Sequence, residues 1–134
     1  MGKEFILYKQ ALELKELGFD EPCILLYRGL DTQPVCQMDY EFKIEKNSDF
    51  NDETNYWLTV PLYQQAFRWF REKYNLFGCI DLHTSTPIHW YIRIDDIIKN
   101  DYVYHSEDEN LKYNTYEEAE LGCLKQLIEI VKNK

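Results

Sequence analysis

Five residues in the second half of the chain could do chemistry together: Asp81, His83, His89, Tyr91 and Arg93. They alternate with apolar residues, Ile80 and Leu82 in one run and Ile88, Trp90 and Ile92 in the next, and a period of two sends alternate side chains to opposite faces of a strand. Pairing the runs as a hairpin, with Leu82 opposite Ile88 and Ile80 opposite Trp90, sets Asp81 against His89 and Cys79 against Tyr91. A carboxylate beside an imidazole is the arrangement that holds a histidine as a general base. No Ser or Thr nucleophile is placed with that pair. Cys79 is four residues from His83, about 13 Å along a strand, which is too far for a direct couple. A diagonal approach of Cys79 to His89 stays open. The same residues also make a binding face, extended by Glu41 and Lys43, or an ordinary solvated face with one cross-strand ion pair.

Other chemistries find less support. Asp81, His83 and His89 lack a dedicated fourth metal ligand. Cys23, Cys36, Cys79 and Cys123 are scattered without a C-x-x-C pair, so a zinc site is not expected, and Cys23, Cys79 and Cys123 read as buried reduced thiols. Asp49, Asn51 and Glu53 have calcium-loop spacing, but Thr54 stands where the loop needs Gly and Val60 where it needs a bidentate Glu. The five glycines are not clustered, which removes a phosphate-cradling loop. No cofactor is expected. A second candidate surface is aromatic: Trp57, Tyr63 and Trp69 with Arg68 would anchor a protein interface if exposed, whereas a buried Trp57 would plug the core.

The elements that must position these residues follow from periodicity. A first helix is expected from Phe5 to Leu17, with Leu7, Ala11, Leu14 and Leu17 as its apolar stripe. Gly18 can end it in the left-handed conformation with Phe19 folded back over the last turn. Cys23 to Arg28 reads as a strand, and Met38 to Ile44 as a half-buried strand. Lys46 to Thr54 is a polar, mobile loop. A second helix runs from Pro61 to Tyr74, with Tyr63, Ala66, Phe67, Phe70 and Tyr74 inward. Strands Phe77 to His83 and Ile88 to Asp95 follow, then an edge strand Tyr102 to His105 and an acidic loop Ser106 to Asn110. Thr115 and Glu118 form a capping box that opens the last helix, Tyr116 to Val131, with a stripe of Tyr116, Ala119, Cys123, Leu127 and Val131.

The order is α-β-β-α-β-β-(β)-α: one α+β domain over residues 1–134, with one antiparallel sheet of four to five strands and three helices mainly on one face. A helix–strand–strand unit is weakly repeated, as in Cys23-Ile24-Leu25-Leu26-Tyr27 against Cys79-Ile80-Asp81-Leu82-His83.

Three segments carry a resemblance. They are Leu14-Lys15-Glu16-Leu17-Gly18-Phe19-Asp20-Glu21-Pro22-Cys23, Trp69-Phe70-Arg71-Glu72-Lys73-Tyr74-Asn75-Leu76 and Tyr113-Asn114-Thr115-Tyr116-Glu117-Glu118-Ala119, with a strand centred on Trp90 between the last two. In this order they resemble small proteins of phage and prophage genomes, particularly those of gut bacteria, a group with no activity attached. The segment from Asp31 to Thr54 is longer than that pattern, and Leu62 stands where it would have a capping Ser or Thr. The resemblance implies a mobile-element context, in which small proteins modulate host machinery, and carries over no catalytic residue.

Aromatic residues are 16% of the chain and apolar residues 45%, which excludes a disordered chain. The formal charge of −9, from 24 acidic and 15 basic residues, opposes direct binding to nucleic acid or to an anionic membrane. An acidic mimic of nucleic acid would need its carboxylates on one face, yet Lys and Arg are interspersed. No apolar run reaches the ~20 residues of a membrane span, and charge interrupts the first residues too soon for a signal peptide. A cytoplasmic location is the expectation. The leading expectation for function is an acidic protein-interaction module, an inhibitor or adaptor with a host protein as partner. A small-ligand or nucleotide-binding protein is the alternative, and an enzyme built on Asp81 and His89 is the third reading. Oligomeric state is left open.

Overall fold

The computed structural model describes residues 3–29, 35–36, 44–50 and 57–134. These divide into two compact units, Met1–Tyr63 and Gln64–Lys134. The class is α+β, as expected. Instead of one sheet of four to five strands, the described residues form two three-stranded antiparallel sheets.

In the first unit, helix α1 spans Tyr8–Glu16. It starts later than expected because Phe5 and Ile6 are extended: Phe5 bridges Leu62, and the Ile6 N–H donates to Pro61 O. Leu7 is the N-cap, makes no side-chain cap and is exposed, and Gln10 takes a buried place beside Ala11 and Leu14. The helix stops as its sequence requires. Gly18 has φ 96°, its N–H donates to Lys15 O at 3.0 Å, and the Phe19 N–H donates to Leu14 O at 2.9 Å. Both carbonyls of the last turn are satisfied, and Phe19 is 1% exposed.

Strand β1, Leu25–Arg28, is central between β2, Val35–Cys36, and β3, Trp57–Val60. Leu25, Leu26 and Tyr27 are all buried, which explains a near-continuous apolar run rather than an alternating one. Cys23 precedes the strand as an isolated bridge to Glu45. β3 was not foreseen, because its residues read as a loop end leading into a helix. The expected strand Met38–Ile44 lies outside the described residues except for Ile44, which is exposed. Of the expected mobile loop, Lys46–Phe50 is described, and it is pinned. Asn47 is buried, donates from Nδ2 to Phe19 O and accepts the Thr59 N–H on Oδ1, each at 3.0 Å.

The second unit holds nearly all of helix α2, Tyr63–Tyr74, then β4, Leu76–His83, β5, His89–Asp96, β6, Asp101–His105, and helix α3, Tyr116–Lys132. The sheet is a meander in the order β4-β5-β6. Among the described residues β1 is central in its sheet whereas β4 is at an edge, so these strands do not repeat one topology. α3 packs against β4 and β5. Ile92 and Ile94 are fully buried, as are Cys123 and Leu127 of the helix. Gly78 permits this approach, since a Cβ there would meet Cys123 Sγ at 2.8 Å and Leu127 Cδ1 at 3.2 Å. The α3 cap forms, with Thr115 Oγ1 accepting the Glu118 N–H at 3.1 Å. Glu118 reaches back one residue further than expected and accepts from the Asn114 N–H. Tyr116, expected in the apolar stripe, is 43% exposed.

Candidate binding face on the second sheet

β4 and β5 pair in a register two residues from the one expected. His83 faces His89, Leu82 faces Trp90, Asp81 faces Tyr91, Ile80 faces Ile92 and Cys79 faces Arg93. Placing Leu82 opposite Ile88 centres the turn on Ser85, whereas the register formed centres it one residue later, on Thr86. The actual connection runs from Thr84 to Ile88, all exposed, and contains a cis peptide bond at Thr86–Pro87. A two-residue shift preserves parity, so Cys79, Asp81, His83, His89, Tyr91 and Arg93 still share the face away from α3.

The shift separates the expected couple. Asp81 Oδ2 lies 3.3 Å from Arg93 NH1, and Arg93 Nε donates to Asp95 Oδ2 at 3.2 Å. The Asp95 hydrogen bond is the main influence holding the guanidinium proton more firmly than usual. Arg93 NH2 is also 3.6 Å from Cys79 Sγ. Burial raises the Cys79 thiol above its ordinary range and outweighs the adjacent guanidinium, so this is not an activated nucleophile. Cys79 and His89 sit at opposite ends of the face, which rules out their diagonal couple.

His89 is held instead by His83 and Tyr91. The two imidazoles stack at 4.8 Å between centroids with 17° between planes. His89 Nδ1 is 2.7 Å from Pro87 O, and a carbonyl only accepts, so Nδ1 carries a proton. Nε2 is also 2.7 Å from the Tyr91 hydroxyl, whose single proton serves either this nitrogen or the Glu107 carboxylate. His89 is 5% exposed. Burial first, and the Glu107 carboxylate second, raise the Tyr91 phenol above its usual range. His83 remains exposed and bonds Ser85 Oγ at 2.6 Å.

Two aromatic members of the face were not anticipated there. His105 pairs with Arg93 and Tyr102 with Asp95, across a register shift between Ile94 and Asp95. Strict alternation would send Tyr102 and His105 to opposite faces. The bulge brings both to this one, with rings 6.3 Å apart. All three histidines of the chain therefore lie on one face. Beyond Arg93 the face ends in a cleft of about 570 Å³ lined by Phe77, Asp95, Asn100, Asp101 and Tyr102 among others. Asp96, at its rim, accepts the Ile98 and Lys99 N–H groups at 3.0 Å, which holds its carboxyl below the usual range.

The expected aromatic anchor is distributed differently. In the first unit Trp57 is half-buried and stacks on Phe50, and Tyr63 is 6% exposed. In the second unit Arg68 is exposed, but Trp69 is buried against Phe70 and Tyr74, with Lys73 Nζ 5.0 Å over its ring. Exposure, the condition for an interface anchor, is not met at Tyr63 or Trp69. Glu41 and Lys43 lie outside the described residues.

Among the described residues no group of three or more His, Cys, Asp or Glu side chains converges to hold a metal ion, and no helix is long and apolar enough to cross a membrane. Comparison with known proteins finds no matching family model, no similar curated protein and no similar solved structure.

Proposed function

We propose that the chain is a small acidic protein-interaction module of phage or mobile-element type, an inhibitor or adaptor of a host protein. Its contact surface is the face of the second sheet away from α3. The observation that carries this reading is that face itself. Asp81, Arg93 and Asp95 are tied into one ion-pair chain, His83 and His89 stack with Tyr91 edge-on to both, and exposed Tyr102 and Phe77 flank them. His83, Tyr102 and Phe77 are exposed and Asp81, Arg93 and Asp95 half-buried, over a buried His89 and Tyr91. Groups already fixed lose little freedom when a partner binds. Interfaces favour Tyr and Arg for the area and hydrogen bonds they bring. The net charge of −9 favours a basic partner by steering its approach.

The test is capture of partners from bacterial lysate by the immobilised chain, identified by mass spectrometry, alongside Arg93→Ala, Tyr102→Ala and Arg68→Ala. One host protein bound stoichiometrically, lost with the first two variants and kept with the third, is the expected result. Nothing above background, or a protein lost only with Arg68→Ala, sinks the reading for that host.

The cleft favours a second reading, capture of a small ligand. Its volume of about 570 Å³ is that of a ligand site, with Phe77 and Tyr102 as stacking surfaces. Asp95, Asp96 and Asp101 repel phosphate, so a neutral or cationic aromatic molecule suits it better than a nucleotide. Mass spectrometry of small molecules released from the denatured protein tests this, with Tyr102→Ala expected to abolish the signal.

A further inference from the structure

Among the described residues β4 pairs only with β5, over eight positions without a register break. Which of its backbone groups face outward follows from β5. Trp90 exchanges both backbone hydrogen bonds with Tyr113, at 2.8 and 3.0 Å, and the Ile92 N–H goes to Ser106 Oγ. Even-numbered residues of β5 therefore direct their backbone toward the β6 side. Their partners Gly78, Ile80 and Leu82 occupy non-hydrogen-bonded pairs with β5 and turn their N–H and C=O groups to the outer edge. Natural edges are guarded by Lys, Pro, a bulge or brevity. β4, Leu-Phe-Gly-Cys-Ile-Asp-Leu-His, has none of these guards.

We propose that this edge pairs antiparallel with β4 of a second copy of the chain, about a two-fold axis at Ile80, so that two three-stranded sheets become one. Self-complementarity selects the register. Centring on Ile80 sets Gly78 against Leu82, Cys79 against Asp81 and Phe77 against His83, each pair occurring twice by symmetry. Leu82, 48% exposed, then lies beside Gly78, next to the Cys123 and Leu127 side chains that cover that glycine. Charge agrees with this register. Arg93 already reaches both Asp81 and Cys79, so Asp81 of the second copy, opposite Cys79, comes beside the same guanidinium. Centring on Asp81 would instead set two carboxylates face to face, which is unfavourable. The proposal does not depend on the host-protein reading, but it would double the polar face into one continuous surface.

Sedimentation equilibrium of the full chain over a wide concentration range tests it. The expected result is a mass rising to that of two chains. Leu82→Lys guards the edge at an exposed position, and Ile80→Pro removes an outward N–H without touching the β5 ladder. Either variant, with its thermal melting intact, should return the mass to one chain. Directly opposed residues in a hydrogen-bonded pair have Cα atoms about 5.5 Å apart, within disulfide reach. Ile80→Cys should thus cross-link to itself on mild oxidation, while Leu82→Cys, opposite Gly78, should not exceed the wild-type background. A single-chain mass at every concentration overturns the proposal, as does a dimer that both Leu82→Lys and Ile80→Pro leave intact.

Discussion

Asn47 and Thr59 meet at one hydrogen bond and have opposite energetic standing. Asn47 satisfies two buried backbone groups, the Phe19 carbonyl and the Thr59 N–H. Truncating it orphans both in a site that excludes water, so Asn47→Ala should cost about 3 kcal/mol. It should lower the denaturant midpoint without changing the slope of the transition. Thr59 Oγ1 is buried and has no hydrogen-bond partner among the described residues. Thr59→Val removes the unsatisfied hydroxyl and keeps the β-branched shape, and should raise stability by about 1 kcal/mol. A loss of stability in that variant would mean the hydroxyl is satisfied after all. At this scale the sequence was informative about residue type and silent about partner. His89 and Asp81 are legible as reactive side chains, but their separation depends on where the turn is centred, which no residue in the turn dictates. Asn47 gave no signal at all, because a polar residue in a polar loop reads as solvated until its burial is known.

Elements were legible where local chemistry decides them. Gly18 as a left-handed helix end, the folded-back Phe19 and the Thr115 cap all depend on residues within one turn, and all are present. Gly18→Ala places a Cβ at φ 96° and should cost about 1–2 kcal/mol, seen as a lower thermal midpoint. β3 was missed because Trp57–Val60 has no alternation. Three of its four residues are buried, and a short apolar run before a helix does not announce a strand. The approach of α3 to its sheet depends on Gly78, whose role comes from another element. Gly78→Ala would drive a Cβ to 2.8 Å from Cys123 Sγ, so the helix must shift or the strand bend. Overpacking of this kind should cost about 1–3 kcal/mol. The double variant Gly78→Ala with Cys123→Ala should recover part of the loss in a double-mutant cycle. Additive effects would place the strain elsewhere.

For the whole molecule, period and composition were enough for the α+β class and insufficient for the division into two sheets, since that rests on long-range pairing that local pattern does not encode. A property of the whole chain that can be read from burial is its response to alkali. The Cys123 thiol is pushed up to about 12, chiefly by burial. Burial likewise leads the upward shifts of Cys79, Tyr27, Tyr104, Tyr113 and Tyr116. Each is neutral when protonated, and the folded state holds its proton more tightly than the unfolded chain does. Above the unfolded pKa values the native state therefore binds more protons, and stability falls as pH rises. The stabilising contribution is complete below about pH 8.5, where a free thiol begins to ionise. Cys123 loses its share as pH climbs toward 12. Repulsion among the surplus carboxylates adds to the same trend, as tyrosinates join a chain already at −9. Denaturant unfolding at successive pH values should give a plateau to about pH 8 and a falling limb beyond it. Cys123→Ala should be less stable at neutral pH because it leaves a cavity. Its alkaline limb should nonetheless be shallower, by up to about 1.4 kcal/mol per pH unit, the linkage of one proton. Parallel limbs for the two proteins would show that the buried thiol ionises no differently in the folded and unfolded chains, and would leave the tyrosines as the source of the slope.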